Sequence, residues 1–401
     1  MGGSWPGPPT RTGAHWGIVV GSIDRASAHG SRLIDRLYII SMHSPHRLYM
    51  SRNGGLDWML APLPYRCNLG ACNCTTNCVE CGISQVTMSS YGQRIVVRGG
   101  DKIYFSTDAG ASWAEARGLP TIQWRVVAAS NDGQMVYTFP AVTCPKFTRY
   151  NNSWCGGCGT GTTSCDGCDA KGISCSLYGL YSSKDAGANW SLRRRDVPSY
   201  WTGLAVAAQQ RVFAYGGADK SISIWVSNDS GATFAGHKPQ PPSLRAWTYM
   251  TVKPEANLLA VGAYGDASRD ALRISWDMGK SWLKPISLPL DTDVASNHTW
   301  PTTLNIASSS DGATLLLVNN NGYLYRSLDR ASRWQKVTSV TPAKPDGMAP
   351  TQPAGWEWWS TAAVSGDGMI MYVAEVQRNE LYKSQDRGAT WKLLDTPIVR
   401  C

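Results

Sequence analysis

The stretch Ser106-Thr107-Asp108-Ala109-Gly110-Ala111-Ser112-Trp113 sets the pattern of the whole chain, because Ser-x-Asp-x-Gly-x-x-aromatic occurs seven times among the 401 residues. A short Asp or Asn side chain can accept hydrogen bonds from backbone N–H groups just ahead of it, and Gly adopts positive φ at little cost. Each octet therefore predicts a tight turn between two strands. The other copies span 51–58, 183–190, 227–234, 275–282, 327–334 and 384–391.

The acidic position of the octet is assigned a structural role, because it serves the turn. The residues at this position are Asn53, Asp108, Asp185, Asp229, Asp277, Asp329 and Asp386. Asn replaces Asp in the first copy, and Ala331 replaces Gly in the sixth.

The residues between octets complete a repeated four-stranded unit. Before the third octet, 124–130 is typical of a strand, 131–133 of its turn and 134–138 of a second strand, while 180–182 leads into the octet. A linear stack of such sheets would expose a sheet face at each end, whereas a closed ring buries every face. We therefore predict one all-β ring of seven blades over 15–401, after an N-terminal tail at 1–14.

The octet resembles the Asp box of the sialidase, BNR-repeat and sortilin-type β-propellers. The longer pattern, with Leu-Tyr-x-Ser leading into the first, third, sixth and seventh octets, is more similar to BNR repeats and to the photosystem II assembly factor propellers. Sortilin-type propellers are larger and continue into a cysteine-rich domain. The resemblance implies a seven-bladed β-propeller with one Asp box per blade. It implies little about activity, because Asp boxes in those families lie away from the ligand face.

The 12 cysteines fall into two insertions and the last residue. Five lie within 67–81, six lie within 144–175, and Cys401 is alone. Six can pair internally, whereas five leave one thiol over, for which Cys401 is a partner. Disulfides would stiffen these polar loops. The alternative is a metal site formed by two CxxC pairs, but their separation is shorter than in usual zinc sites. We predict disulfides and no metal.

The closure of the ring is a separate question, because the units run in phase from Trp16 to Trp391 and leave no strand to exchange between the ends. The junction of the first and last blades is then expected to rest on side-chain packing alone. A disulfide between Cys67 and Cys401 would link them covalently. The chain-entropy argument gives such a long loop about 5 kcal/mol of stabilisation.

A Trp precedes the first strand of most units. In a propeller this strand lines the channel and begins on the face opposite the octets, so the indoles would gather at one channel mouth. They predict either a stacking surface for sugars or cations, or packing between blades. Trp356 and Trp358, which flank Glu357, exceed what the repeat requires, and Glu357 and Trp358 join the candidate ligand-binding residues. The repeated residues are Trp16, Trp124, Trp201, Trp247, Trp300 and Trp359.

The octets raise the question of sialidase-like catalysis. Sialidases carry an Arg-Ile-Pro type motif, which this chain lacks, and none of their catalytic roles can be assigned to a residue here. Other glycosidases need two opposed carboxylates. Two of four acidic residues could form such a pair, because their loops are expected to open on the Trp face. These residues are Glu357, Asp196, Asp291 and Asp293. Acidic residues in polar loops are, however, usually only solvated.

The composition favours a turn-rich, aromatic β protein, with 40 Gly, 22 Pro, 18 Trp and 17 Tyr against 5 Phe. The net charge of +9 is scattered except at Arg193-Arg194-Arg195, so we predict no nucleic-acid partner. No apolar run of about 18 residues could span a membrane, and no signal peptide is visible at the start. The cysteines nevertheless predict an extracellular or secretory-pathway protein.

These features favour a non-catalytic recognition propeller that binds a glycan or glycoprotein through the Trp-rich face and needs no cofactor. The alternative is a sialidase-like or other glycoside hydrolase. A further alternative, implied by the resemblance to the photosystem II assembly factor, is a propeller that assists the assembly of a protein complex.

Overall fold

The structure is a computed structural model and is described here for residues 17–21, 36–41, 47–64, 83–90, 92–99, 101–141, 179–195, 197, 201–207, 211–216, 224–237, 247–263, 272–283, 303–319, 324–340, 359–375 and 380–397. Over these ranges the regular structure is 27 strands and one short 3-10 helix, Pro254–Ala256.

The strands form antiparallel sheets in chain order, with the first strand of each innermost. The first sheet is β1 (Gly17–Gly21), β2 (Arg36–Ser41), β3 (Arg47–Ser51) and β4 (Met59–Leu60); the second is β5 (Ile83–Met88), β6 (Ile95–Gly99), β7 (Lys102–Ser106) and β8 (Ala114–Glu115). The third is β9 (Trp124–Ala129), β10 (Val136–Pro140), β11 (Leu180–Ser183) and β12 (Ser191–Arg194); the fourth is β13 (Trp201–Val206), β14 (Val212–Gly216), β15 (Ile224–Ser227) and β16 (Ala235–His237). The fifth is β17 (Trp247–Lys253), β18 (Leu258–Ala263) and β19 (Leu272–Ser275). The sixth is β20 (Thr303–Ser308), β21 (Leu315–Asn319), β22 (Leu324–Ser327) and β23 (Gln335–Lys336); the seventh is β24 (Trp359–Val364), β25 (Met371–Glu375), β26 (Glu380–Ser384) and β27 (Lys392–Leu394).

The sheets are arranged as a closed ring, because each inner strand contacts the next and β24 contacts β1. Six sheets have four strands, and the fifth has three among the residues described. The backbone N–H of Leu283 donates to Ile274 O at 2.8 Å, beside the third strand of that sheet. The chain is therefore an all-β propeller, and the fourth strand expected in its fifth sheet would fall on residues outside the described ranges.

The hydrophobic core is a series of layers between neighbouring sheets. Phe213 of the fourth sheet and Leu259 of the fifth are both fully buried in one layer. Leu316 of the sixth sheet and Val373 of the seventh are fully buried in another. Because each sheet buries both of its faces, its strands are rich in apolar residues on both sides.

The octets form hydrogen-bonded turns between the third and fourth strands. Ser106 Oγ donates to Asp108 Oδ1 at 2.8 Å and accepts the N–H of Gly110 at 2.8 Å. Asp108 Oδ1 also accepts the N–H of Ser112 at 2.9 Å, and the Trp113 indole donates to Gly110 O at 3.1 Å. The Ser-to-Asp or Ser-to-Asn bond occurs in all seven octets.

The octets lie at the same end of the sheets as the turns between the first and second strands. The fourth residue of an octet donates its backbone N–H to a carbonyl of that turn, as Ala109 does to Gln93 at 2.9 Å. Corresponding bonds join Ala186 to Gln134, Met278 to Asn257, Arg330 to Ala313 and Arg387 to Met369. We call this the octet end of the channel.

The octet carboxylates make the stability of the fold depend on pH in the acid range. Hydrogen bonds from Ser112 lower the pKa of Asp108 to about 2, and hydrogen bonds from Thr390 lower the pKa of Asp386 to about 2. A carboxylate with a lowered folded pKa stabilises the fold above the unfolded pKa of about 3.9, and this contribution is lost as the pH falls through the folded value. We expect the urea midpoint to fall between about pH 4 and pH 2. Asp108→Asn, which copies the first octet, should show a shallower fall; an identical fall would contradict this assignment.

The junction between the first and seventh sheets contains hydrogen bonds as well as apolar contacts. The Trp58 indole donates to Asp395 O at 3.0 Å, and Lys383 Nζ donates to Gly54 O at 3.1 Å. The expectation that this junction rests on packing alone is therefore wrong, because side chains of each end reach main-chain carbonyls of the other. Cys67 and Cys401 lie outside the described residues, and their disulfide stays a prediction.

Candidate functional site

A β-bulge lies near the start of the inner strand in six sheets. In the third sheet Arg125 is the extra residue, between Trp124 and Val126. The register shifts at the same place in the second, fourth, fifth, sixth and seventh sheets. A bulge leaves one residue outside the ladder and redirects its side chain. The inner strands therefore change side-chain direction at one level of the channel, near the end opposite the octets.

Four polar side chains from consecutive sheets lie near this level: Arg98 on β6, Arg125 on β9, Tyr215 on β14 and Tyr249 on β17. We call them the inner cluster. Each is partly exposed, although most of its neighbours along the strand are buried. Electrostatic interactions connect Arg125 to both Arg98 and Tyr215, and Tyr215 to Tyr249. The four side chains therefore interact electrostatically from sheet to sheet, while the rings of Tyr215 and Tyr249 also pack against the apolar layers beside them.

Two contacts direct the outer members of this cluster toward the channel. Arg98 Nη1 donates to the carbonyl of Trp124, which brings the guanidinium from the second strand of one sheet to the inner strand of the next. Tyr215 reaches inward over Gly203, where an added Cβ would collide with the phenol. Glycine at 203 therefore leaves the space that Tyr215 occupies.

The inner cluster is cationic and rich in donors at neutral pH. Burial, followed by the charge of Arg125, lowers the pKa of Arg98 to about 10. Burial raises the pKa of Tyr215 to about 12, against the effect of Arg125, and burial also raises the pKa of Tyr249. The Arg98 guanidinium is therefore charged at neutral pH, and both phenols are protonated. Neither guanidinium forms an ion pair with a residue in the described ranges.

Side-chain amides hold neighbouring inner strands together. Gln85 Nε2 donates to Val127 O at 3.0 Å, and Gln85 Oε1 accepts the N–H of Val127 at 2.9 Å. Asn305 Nδ2 donates to Thr361 Oγ1 at 3.0 Å. These bonds satisfy polar groups at the inner edge of the sheets, where no further strand pairs. They fix the spacing of the wall that carries the inner cluster.

The octet end of the channel is crossed by a hydrogen bond between turns of two sheets that are not adjacent. Asn131 Nδ2 in the third sheet donates to Glu255 Oε1 in the fifth. Asn131 O also accepts the N–H of Ser90 at 2.7 Å. Burial lowers the pKa of Lys253, which lies at the end of β17 beside this crossing, and Glu255 opposes the shift. We expect a ligand of the inner cluster to enter from the opposite end.

The candidate tryptophans that the structure describes are buried. Trp124 is 0 %, Trp201 1 %, Trp247 1 % and Trp359 3 % exposed. The rings of Trp124, Trp201 and Trp359 pack against aromatic side chains, as Trp359 does against Tyr382 with centroids 5.8 Å apart, and Trp247 lies in an apolar cluster. Buried rings offer no free face to a sugar, so this placement favours the packing interpretation. Trp16, Trp300, Glu357 and Trp358 lie outside the described residues, and their ligand contact stays a prediction.

The structure contains a carboxylate pair that sequence reasoning missed. Glu375 and Glu380 are directly opposite each other on β25 and β26, and they are 1 % and 3 % exposed. Tyr382 Oη donates to Glu380 Oε2 at 2.7 Å. Burial keeps this pair from flanking a glycosidic bond. The proposed catalytic candidates Asp196, Asp291 and Asp293 fall outside the described residues, as Glu357 does.

An open depression of about 450 Å³ lies between the second and third sheets at the octet end. Its polar side chains already serve the fold: Arg94 donates to Asp132 O at 2.7 Å, and Asp185 accepts two bonds from Asn189. It therefore belongs to the turn structure.

The described part of the chain has no group of three or more His, Cys, Asp or Glu placed to hold a metal. The same described residues contain no helix that is long and apolar enough to cross a membrane.

Comparison with known proteins gives structural matches only. No family model matches the sequence, and no curated protein matches it. A solved structure of YCF48 bound to D1 peptide superposes with a TM-score of 0.55 at 15% identity, over 87% of each chain. YCF48 from Cyanidioschyzon merolae superposes with a TM-score of 0.52 at 12% identity, over 94% of this chain and 97% of that one. The chain is thus a β-propeller structurally similar to YCF48 at low sequence identity.

Proposed function

We propose that the chain is a non-catalytic propeller that binds a segment of a partner protein in its channel, at the end opposite the octets. The observation that carries the proposal is the inner cluster, in which four hydrogen-bond donors from four consecutive sheets lie near one level of the channel. An extended peptide offers carbonyl oxygens and acidic side chains to such donors. The proposal includes a seven-bladed ring over 15–401.

The comparisons and the burial of key side chains support a protein segment over the other candidates. The YCF48 propeller of similar fold was solved with a peptide, the D1 peptide. Glycan stacking would have to rest on Trp16, Trp300 and Trp358, because the described candidate tryptophans are buried. Glycoside hydrolysis needs two opposed accessible carboxylates, and the opposed pair Glu375 and Glu380 is buried.

Selection of peptides from a random-sequence phage library on the purified protein tests the proposal. Selected peptides would be synthesised and titrated by calorimetry into the wild type and into Arg125→Gln. We expect binding to weaken at least tenfold, since a hydrogen bond to a charged group contributes about 1.5–3 kcal/mol. Arg211→Gln removes an equal charge at the octet end, where Arg211 bonds Asn228, and should change binding less than about twofold.

A glycan array and a panel of fluorogenic glycosides, run on the same protein, give the competing outcomes. Glycan binding or hydrolysis together with a failure to select any peptide would overturn the proposal. So would selected peptides that bind Arg125→Gln and the wild type equally well.

A further inference from the structure

We infer that the inner cluster is a binding site for a phosphate group, either free or carried as an ester. The site is the same channel level as in the proposed function, but the inference concerns the chemical group held there. It does not require a peptide, so phosphate binding and peptide binding can fail independently.

The charge of the inner cluster matches a divalent anion. Arg98 and Arg125 lie close enough for their charges to interact, and neither pairs with an acidic residue in the described ranges. Two like charges at a partly buried site destabilise each other, and an anion between them removes that cost. A phosphate monoester carries about −1.5 to −2 at neutral pH, whereas a single carboxylate would leave one guanidinium uncompensated.

The origin of the donors on four different sheets favours a tetrahedral group over a planar one. The two guanidiniums come from the second and third sheets, and the two phenols from the fourth and fifth. Donors that follow the curve of a channel wall reach a central group from several sides. A carboxylate accepts hydrogen bonds mainly in its own plane, whereas the oxygens of a phosphate point in four directions.

The inner cluster lacks the carboxylates that a cationic ligand needs. Its phenols can both donate and accept hydrogen bonds, so it is the charge of the two guanidiniums that favours an anion over a neutral ligand. The phenols stay protonated, because burial raises the pKa of Tyr215 to about 12 and raises that of Tyr249. They are therefore neutral donors that do not repel an anion.

One donor of this cluster is left without a partner. Arg98 Nη1 is bonded to the carbonyl of Trp124, but the buried Arg98 Nε has no hydrogen-bond partner in the described part of the chain. A buried donor without a partner costs free energy, so a ligand oxygen at this position would be stabilised by satisfying it. Arg98 and Arg125 are thus the groups we assign to direct phosphate contact, with Tyr215 and Tyr249 completing the shell.

Titration calorimetry with inorganic phosphate at constant ionic strength tests the inference on the full chain. Acetate is the probe for a planar carboxylate, and potassium chloride is the probe for screening alone. We expect phosphate to bind at least tenfold more tightly than acetate. Arg125→Gln should weaken phosphate binding at least tenfold, and Tyr249→Phe, which keeps the ring, about fivefold. The matched charge control Arg211→Gln should bind phosphate as the wild type does.

The source of the phosphate is decided by a second comparison. A phosphoserine peptide is titrated beside the same peptide with serine, and preferential binding of the phosphorylated form identifies an ester. Equal affinity for phosphate and acetate would overturn the inference, as would phosphate binding that survives both Arg125→Gln and Tyr249→Phe. If Arg125→Gln does not fold, the result for Tyr249→Phe decides alone.

Discussion

Replacement of Trp247 by Ala is expected to lower the free energy of unfolding by about 3–5 kcal/mol. The indole is 1 % exposed and fills the layer between the fourth and fifth sheets, with Phe213, Leu259 and Met250 in the same cluster. Truncation to Ala removes this apolar contact area and leaves a cavity that two hydrogen-bonded sheets cannot collapse to fill. Chemical denaturation measures the loss of unfolding free energy. The transition can be followed by intrinsic fluorescence, because the variant keeps 17 of the 18 tryptophans.

The control for this experiment is Leu56→Ala, since Leu56 is 72 % exposed and lies on an octet. We expect that substitution to change the free energy of unfolding by less than about 0.5 kcal/mol. A Trp247→Ala protein as stable as the wild type would contradict the packing role and would return Trp247 to the candidate ligand-binding residues.

Gly118→Ala is the second substitution with a large expected effect, at least about 2 kcal/mol of lost stability. Gly118 has φ +81°, and an added Cβ would lie 2.5 Å from the carbonyl oxygen of Trp190. An L residue in the left-handed region costs about 1–2 kcal/mol. The contact adds to this, because the Trp190 backbone is bonded to Arg117 O at 2.9 Å and cannot shift freely. The substitution would therefore loosen the link between the second and third sheets.

Gly279→Ala separates the two causes. Gly279 has φ +90°, but the closest neighbour of an added Cβ is the flexible end of Leu259, at 3.0 Å. We expect the free energy of unfolding of this control to fall by about 1–2 kcal/mol, because only the backbone conformation is unfavourable. The excess loss in Gly118→Ala then measures the main-chain clash. Equal losses in the two variants, measured by urea denaturation, would show that the contact with Trp190 is relieved without cost.

The turns and most strands could be predicted from the sequence, because local chemistry determines them. Ser106, Asp108 and Gly110 contact one another within five positions, so the octet carries its own hydrogen bonds wherever it occurs. The fourth strand expected in the fifth sheet falls outside the described ranges and stays a prediction. The cysteine-rich insertions at 67–81 and 144–175 also fall outside them.

For the recurring tryptophans, the sequence predicts their position in each repeat but not whether they are buried or exposed. Their position at the start of the inner strand could be predicted, since it repeats with the octets. Whether Trp124 or Trp201 faces a ligand or a neighbouring sheet depends on the distance between sheets, which no local pattern contains. The structure places both in the core, at 0 % and 1 % exposure.

The inner cluster could not be predicted from one sequence, because its members are scattered over four sheets and only the closed ring brings them together. The sequence positions of two members nevertheless indicated that they lie near the inner strands. Arg125 and Tyr249 follow the recurring Trp by one and two positions, where the bulge lies. Tyr215 gave no such signal, since its inward path depends on Gly203 in another strand.

A crystal structure of the protein with a selected peptide tests the central claim most directly. The account predicts peptide density within the channel, on the side away from the octets, with oxygen atoms within 3.2 Å of Arg125 and of Tyr215 or Tyr249, a distance typical of hydrogen bonds. Density on an outer strand, or over the octet turns with the inner cluster empty, would contradict it.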